Sequence, residues 1–280
     1  MKRYRVLNFE LDSRAAILQQ EIKDTWEENI KKLHYSNKKA IQEGLEREFG
    51  SIYIEDKIKN FCDLGSTPFS IVAFHNKFLR QIRHSFVIGA YYPALTGVCS
   101  LGERVLNHLI LLLRDDFRNT PEYKGIYRKN SFDDWDLAIK VLSAWKIFLP
   151  EVIEKYEKLH EIRNKEAIHF KPAIDTNDRD IALRTIKTFQ EIIEKQFGAF
   201  GTQPWFIEGV KGASYIKKEY EKFPFIRKVY LPNCVLVGPY HKLELDNGYW
   251  KVNDIEYDNK EITDREFADL LEKNRTGNPI

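Results

Sequence analysis

Cysteine is almost missing from the chain: Cys62, Cys99 and Cys234 are the only three in 280 residues. The number is odd and no two are spaced as CxxC, so neither a disulfide framework nor a zinc site is suggested, and three buried thiols in a reducing compartment are expected. Long apolar runs are missing too. The most apolar stretch, residues 109–113, falls far short of the ~20 residues that cross a bilayer. No run of signal-peptide length follows the basic start Met1-Lys2-Arg3-Tyr4-Arg5. A soluble, cytoplasmic protein with no membrane partner is therefore expected. Neither sign of charge is in excess: 44 basic and 42 acidic residues leave +2, which excludes a polybasic DNA coat and an acidic disordered chain. A local basic patch would still hold phosphates. Internal repeats, low-complexity segments, a Gly-rich phosphate loop, a Ser/His/Asp order and a paired-carboxylate motif are all absent, and no metal or cofactor is implied.

Helical periodicity is what the chain does have. Ala15, Ile17, Leu18, Ile22, Trp26 and Ile30 recur at three- and four-residue spacings, as one helical face requires. Ser66-Thr67-Pro68 predicts a helix start, with an apolar face through Phe69, Val72, Phe78, Ile82 and Phe86 to Gly89. Tyr92-Pro93 opens a second stripe, Leu95, Val98, Leu101, Val105, Leu106, Leu109, Leu112 and Leu113. Ser131-Phe132-Asp133-Asp134 reads as a capping-box variant before Trp135, Ile139, Leu142, Trp145 and Phe148. Pro150 opens a helix that Pro172 must end, and residues 178–196 form another. From about Gly201 glycine, proline and aromatics become frequent. Residues 229–231 and 235–237 read as short strands, Asp246-Asn247-Gly248 as a hairpin turn, and 264–273 as a closing helix. The expected fold is mainly α, an up-and-down helical bundle with N-terminal helices and a small C-terminal α+β appendage. The corresponding segments are 1–66, 67–198 and 199–280.

Chemistry concentrates in one stretch, Leu159-His160-Glu161-Ile162-Arg163-Asn164-Lys165-Glu166-Ala167-Ile168-His169-Phe170-Lys171-Pro172. Along an α-helix, Arg163 and His169 would lie about 9 Å apart on the axis and roughly 120° apart around it. The long arginine leans far enough for both heads to line one groove, with Glu166 placed to orient either. Arginine is a permanent planar cation suited to phosphate, and histidine moves a proton near neutral pH. The pair suits metal-free phosphodiester cleavage of RNA, whose 2′-hydroxyl is an internal nucleophile. His169 would move the proton, Arg163 would hold the charge on phosphorus, and Asn164 would bond the phosphate or fix the histidine. The bland alternative is a charged helix in which Arg163 pairs with Glu166 and His169 meets the helix dipole. Elsewhere, Arg80, Arg83 and His84 read as a solvated basic face. His160 and His169 lack the spacing of a helical zinc site. The appendage aromatics Trp205, Phe206, Tyr249 and Trp250 read as the core of a small β unit.

The pattern Arg163-Asn164-x4-His169, late in an all-helical bundle, resembles the signature of the HEPN superfamily. Phe86-Val87-Ile88-Gly89-Ala90-Tyr91-Tyr92-Pro93-Ala94-Leu95-Thr96, followed by Glu103-Arg104-Val105-Leu106, is similar to that family's first helix pair. The likeness covers about residues 68–198. It implies a bundle that forms a homodimer, with two motif copies facing one cleft. It further implies an endoribonuclease that needs no metal and leaves 2′,3′-cyclic phosphate and 5′-hydroxyl ends, often a bacterial toxin or antiphage effector cutting tRNA or other cellular RNA. Such effectors imply an antitoxin or defence-system partner. Arg163, Asn164 and His169 match the motif. Glu103 matches the family's glutamate loosely, and with the flanking Lys165 and Lys171 it completes the expected RNA-contacting set. Some members have lost catalysis and bind RNA or a protein partner instead, and a purely structural scaffold is the reading from another class.

Overall fold

The computed structural model describes the chain apart from Asp133, residues 169–176, Asn259 and residues 277–280, together with the side chains of Ile168 and Thr276. Mainly helical, it runs β1 (Arg3–Val6), β2 (Phe9–Asp12), α1 (Arg14–Gln19), α2 (Glu28–Phe49), α3 (Ile54–Leu64), β3 (Thr67–Ile71), α4 (Phe74–Val87) and α5 (Tyr91–Leu113). The second half follows with α6 (Tyr123–Ile126), α7 (Trp135–Ala144), α8 (Pro150–Ile162), α9 (Asp178–Phe197), β4 (Cys234–Val237), β5 (Lys242–Asp246), β6 (Tyr249–Asn253) and α10 (Asp264–Thr276). Two compact units result: a helical one, Glu10–Phe69 with Ala73–Gln196, and a mixed one, Met1–Phe9 with Ser70–Val72 and Phe197–Ile280. No helix among the described residues is long and apolar enough to cross a membrane.

In the helical unit α5 is the central rod. Its stripe is buried from Ala94 to Leu113, and Trp135 and Leu142 of α7 and Val152, Tyr156 and Leu159 of α8 close over it. Leu109, Ile110 and Leu113 of the apolar 109–113 stretch are thus part of this core. Gly102 permits the closest approach. A Cβ there would lie 2.8 Å from both Leu159 Cδ2 and Trp135 Cη2, two side chains that are themselves buried. Gly102→Ala is therefore expected to destabilise, because an overpacking cost of about 1–3 kcal/mol exceeds the ~1 kcal/mol gain in helix propensity. Urea unfolding checks this, and a stabilised variant would show the contact to be yielding.

Several expectations are corrected. Thr67–Ile71 is a strand paired with β2, not the first turns of a helix. Alternation of Thr67, Phe69 and Ile71 suits a strand, and proline is tolerated in a short edge segment. The helix starts seven residues later, where Asn76 Oδ1 accepts the Ala73 N–H at 2.6 Å. In the capping region before α7 the cap itself is Asp134, whose carboxylate accepts from Leu137 N at 2.9 Å. Arg83 is a further correction. It is buried, not solvated, and donates to Gly65 O at 2.7 Å and to Gln190 Oε1.

His75, at the start of α4, is completely buried, and burial, with His108 next, pushes its pKa down to about 3. A lowered folded-state value means the unfolded chain takes up this proton first. Stability should therefore fall as pH drops from ~6.5 toward 3. His75→Leu should flatten that dependence in pH-resolved thermal melts, and an unchanged slope would remove His75 from the acid response.

The mixed unit pairs β1 with β4 antiparallel, Arg3 opposite Val237 and Val6 opposite Cys234. Ile207, Tyr215, Val237, Phe267 and Leu271 form its core, and Trp205, Phe206, Phe225 and Tyr230 pack ring against ring beside Phe197. Residues 229–231 are not a strand. Ile226–Tyr230 is a π-helical turn followed by a 3₁₀ turn, and the buried Phe225 and Tyr230 are five apart, the repeat of such a turn. The hairpin β5–β6 forms as the sequence predicts, with Asn247 (φ 49°) and Gly248 (φ 84°) in the left-handed region its two-residue turn demands. Trp205 and Phe206 are core. Tyr249 and Trp250, at 80% and 57% exposure, are not, because they sit at the hairpin's free end.

Candidate functional site

Pro150 occupies the first turn of α8, where its missing N–H costs nothing, and Leu149 is the extended residue before it. The α-helix ends at Ile162. Arg163–Ile168 continues as a π-helix, with i→i+5 bonding. Such turns are rare and recur at functional sites. The wider turn departs from the regular α-helical geometry expected along Arg163–Ile168. His169 and Lys171 lie outside the described residues.

Arg163 is held by three side chains. Its Nη2 donates to Glu103 Oε2 at 3.1 Å, its Nη1 to Asn164 Oδ1 at 3.1 Å, and its guanidinium lies 5.5 Å from the Trp135 ring centroid. Glu103 Oε2 also accepts Trp135 Nε1–H at 3.0 Å. One carboxylate on α5 thus fixes both an indole on α7 and the arginine after α8. Both members of the ion pair are about a quarter to a third exposed, at 22% and 31%, so the guanidinium keeps a solvent-facing side. Glu166 does not orient Arg163. It pairs with Arg184 of α9 at 3.2 Å.

Asn164 bridges outward and back. Its Nδ2 donates to His160 Nε2 at 3.0 Å, and His160 Nδ1 lies 3.3 Å from Asp136 Oδ1. With Nε2 accepting, the ring proton sits on Nδ1, toward the aspartate. The His160 ring also stacks on Trp135, 5.3 Å between centroids and 16° between planes. Trp135 therefore has the imidazole and the guanidinium as neighbours and holds Glu103 by its N–H. Lys165 pairs with Glu161 one turn earlier, both well exposed, a surface contact of little energetic weight.

Arg163 and Ala167 form one side of a cleft of about 700 Å³. Glu103, Arg104, Asn107 and His108 of α5 and Phe74 and Phe78 of α4 line the rest. At its floor is Cys99, whose thiol burial pushes up to about 12, so it is neutral. Asn107 is occupied structurally: its amide accepts Phe132 N–H at 2.6 Å and donates to Phe132 O at 2.7 Å. The cleft thus offers a cationic, partly aromatic wall beside the motif arginine. Among the described residues, no group of three or more His, Cys, Asp or Glu side chains is gathered to hold a metal ion.

Of the residues expected from sequence, Arg163, Asn164 and Glu103 are brought together, and Lys165 stands apart from the cleft lining. Trp135, His160 and Asp136 were missed as site residues. His160 and Asn164 were findable, since i and i+4 share a helix face. The Trp135–Glu103 contact spans 32 residues and has no local signature. No protein-family model matches the chain, and neither the curated proteins nor the solved structures compared with it gave a match.

Proposed function

We propose that the protein is an endoribonuclease of the HEPN type, cutting RNA by attack of the 2′-hydroxyl on the adjacent phosphorus. The bond formed is 2′-O–P and the bond broken is P–5′-O, leaving a 2′,3′-cyclic phosphate and a 5′-hydroxyl. The observation that carries the reading is the anchoring of Arg163 between Glu103, Asn164 and Trp135 at the edge of an open cleft. Three contacts pre-orient a partly exposed guanidinium that lines the cleft, which is how charge developing on a phosphorane is stabilised without reorganisation. His169 is assigned the proton transfer, and Asn164 the orientation of Arg163 through its Oδ1. No metal or cofactor is assigned. The working form is a homodimer in the cytoplasm, two clefts facing one another, with a toxin or antiphage role under the control of an antitoxin or defence-system partner.

A second reading has its own support: Glu103 already neutralises Arg163, as in a site that binds RNA or a protein partner without cutting. Incubation of purified protein with total RNA in EDTA, beside His169→Ala, separates the two. Cleavage by the parent alone, with cyclic-phosphate ends, supports the nuclease. Equal cleavage by both removes His169 from the mechanism, and no cleavage by either favours the silent module. Sedimentation of the parent tests the dimer, and a strict monomer removes the shared cleft.

A further inference from the structure

We propose that the cleft beside Arg163 is a subsite for one unpaired nucleotide of single-stranded RNA, with Arg104 on its phosphate and the Phe74–His108 stack against its base. This rests on the RNA reading above and specifies the state of RNA that the site accepts. Two rows of α5 side chains face the cleft and divide the work. The row Glu103–Asn107 is committed to the protein, holding Arg163, Trp135 and the Phe132 backbone. The row Ser100–Arg104–His108, also at four-residue spacing, is exposed. Among the described residues Arg104 makes no ion pair; its guanidinium lies over the Phe78 ring, 4.9 Å from the centroid, which steers the cation along the aromatic wall. The rings of Phe74 and His108, both of which line the cleft, stack at 3.9 Å and 26°. Burial, with Arg104 next, lowers the His108 pKa, so the ring is neutral at pH 7 and acts as a stacking surface, not a further cation.

The volume, about 700 Å³, is that of a small-ligand site. Its stacking pair brings together Phe74 of α4 and His108 of α5. A base in a duplex is stacked on both faces and paired along its edge, so it cannot reach such a surface, whereas an unpaired base swings out and stacks. Two arginines spaced along the cleft then follow the backbone, Arg104 at the neighbouring phosphate and Arg163 at the scissile one.

The test is fluorescence anisotropy with a 2′-O-methyl RNA 12-mer, which has no free 2′-hydroxyl to react, used single-stranded and annealed to its complement. The parent should bind the single strand at least about tenfold more tightly than the duplex. Arg104→Ala and His108→Ala should each weaken single-strand binding roughly tenfold. Arg104→Ala should also reduce the slope of log affinity against log salt by about 0.7. Arg104→Glu, at an exposed position, keeps the test decisive if His108→Ala loses helix content. Equal affinity of the parent for both forms, or variants that bind and titrate with salt like the parent, overturns the subsite. Cleavage of unmodified RNA is scored separately. Single-strand binding without cleavage keeps the subsite and overturns the nuclease, while undiminished binding and cleavage by both alanine variants does the reverse.

Discussion

Arg163→Ala is expected to lower RNA cleavage by roughly 10²–10³-fold while leaving the fold intact, the loss typical of removing one preorganised charge stabiliser. The fold should survive because the partners left behind are not stranded. Glu103 keeps the Trp135 N–H at 3.0 Å and is itself about a third exposed, and Asn164 keeps His160. A partly exposed pair of this kind contributes on the order of 1 kcal/mol. Arg163→Lys should behave more like alanine than like the parent. A planar fork serves Glu103, Asn164 and a phosphate at once, and a point charge on a flexible stem does not. Glu103→Gln should fall between, about tenfold down: the amide oxygen still accepts the indole N–H, but the charge that holds the guanidinium is gone. Single-turnover cleavage in EDTA, alongside urea unfolding of each variant, checks the series. An Arg163→Ala protein that cuts at the parent rate would sink the assignment, and one that loses cleavage only as it loses helix would make Arg163 a structural residue.

The parts of this arrangement that were legible in the sequence are those carried by local period. The α5 stripe, Pro150 at the start of α8, α9 and the Asn247-Gly248 hairpin all follow from neighbours within seven residues, and each forms as read. Arg163 and Asn164 were visible as chemistry because their types stand out on a charged helix. What was not legible depends on partners far along the chain. Glu103 and Trp135 meet Arg163 across 60 and 28 positions. Strand β1 pairs with β4 across more than 200 residues, and nothing within Met1–Phe9 announces that. Thr67–Ile71 misled because Ser-Thr-Pro is a helix-start signal locally, and its pairing with β2 overrides it. The π-turn at Arg163 misled differently, since i→i+4 and i→i+5 bonding call on the same side-chain types. Arg83 shows the limit of composition. Read beside Arg80 and His84 it belongs to a surface, and only the packing of three helices reveals a buried cation.

Arg83→Met should cost about 3–5 kcal/mol of unfolding free energy, the largest single-site effect expected on stability. The reason is the end of α3. Helix carbonyls in the last turn have no intrahelical donor, and here the chain turns away at Gly65, whose φ is 72°. Arg83 Nη2 reaches across from α4 to the Gly65 carbonyl at 2.7 Å, and Gln190 Nε2 from α9 to the Leu64 carbonyl at 3.1 Å. Arg83 Nη1 also donates to Gln190 Oε1, so the three helices share one buried polar knot. Burial lowers the Arg83 pKa to about 10, against the support of Asp12. The group is thus still charged at neutral pH, held by neutral acceptors and by the negative end of a helix dipole. Methionine matches the stem but leaves the buried Gln190 Oε1 and the part-buried Gly65 O without this donor. Gln190→Met in the same background should cost less than its effect in the parent, with a coupling of about 1–3 kcal/mol in a double-mutant cycle. Arg83→Lys should recover part of the loss by reaching one carbonyl. Urea denaturation gives the free energies, and amide exchange should show protection lost first at the C-terminal turn of α3. A loss below ~1 kcal/mol for Arg83→Met would mean that water enters and replaces the donor, and the knot would then hold orientation more than stability.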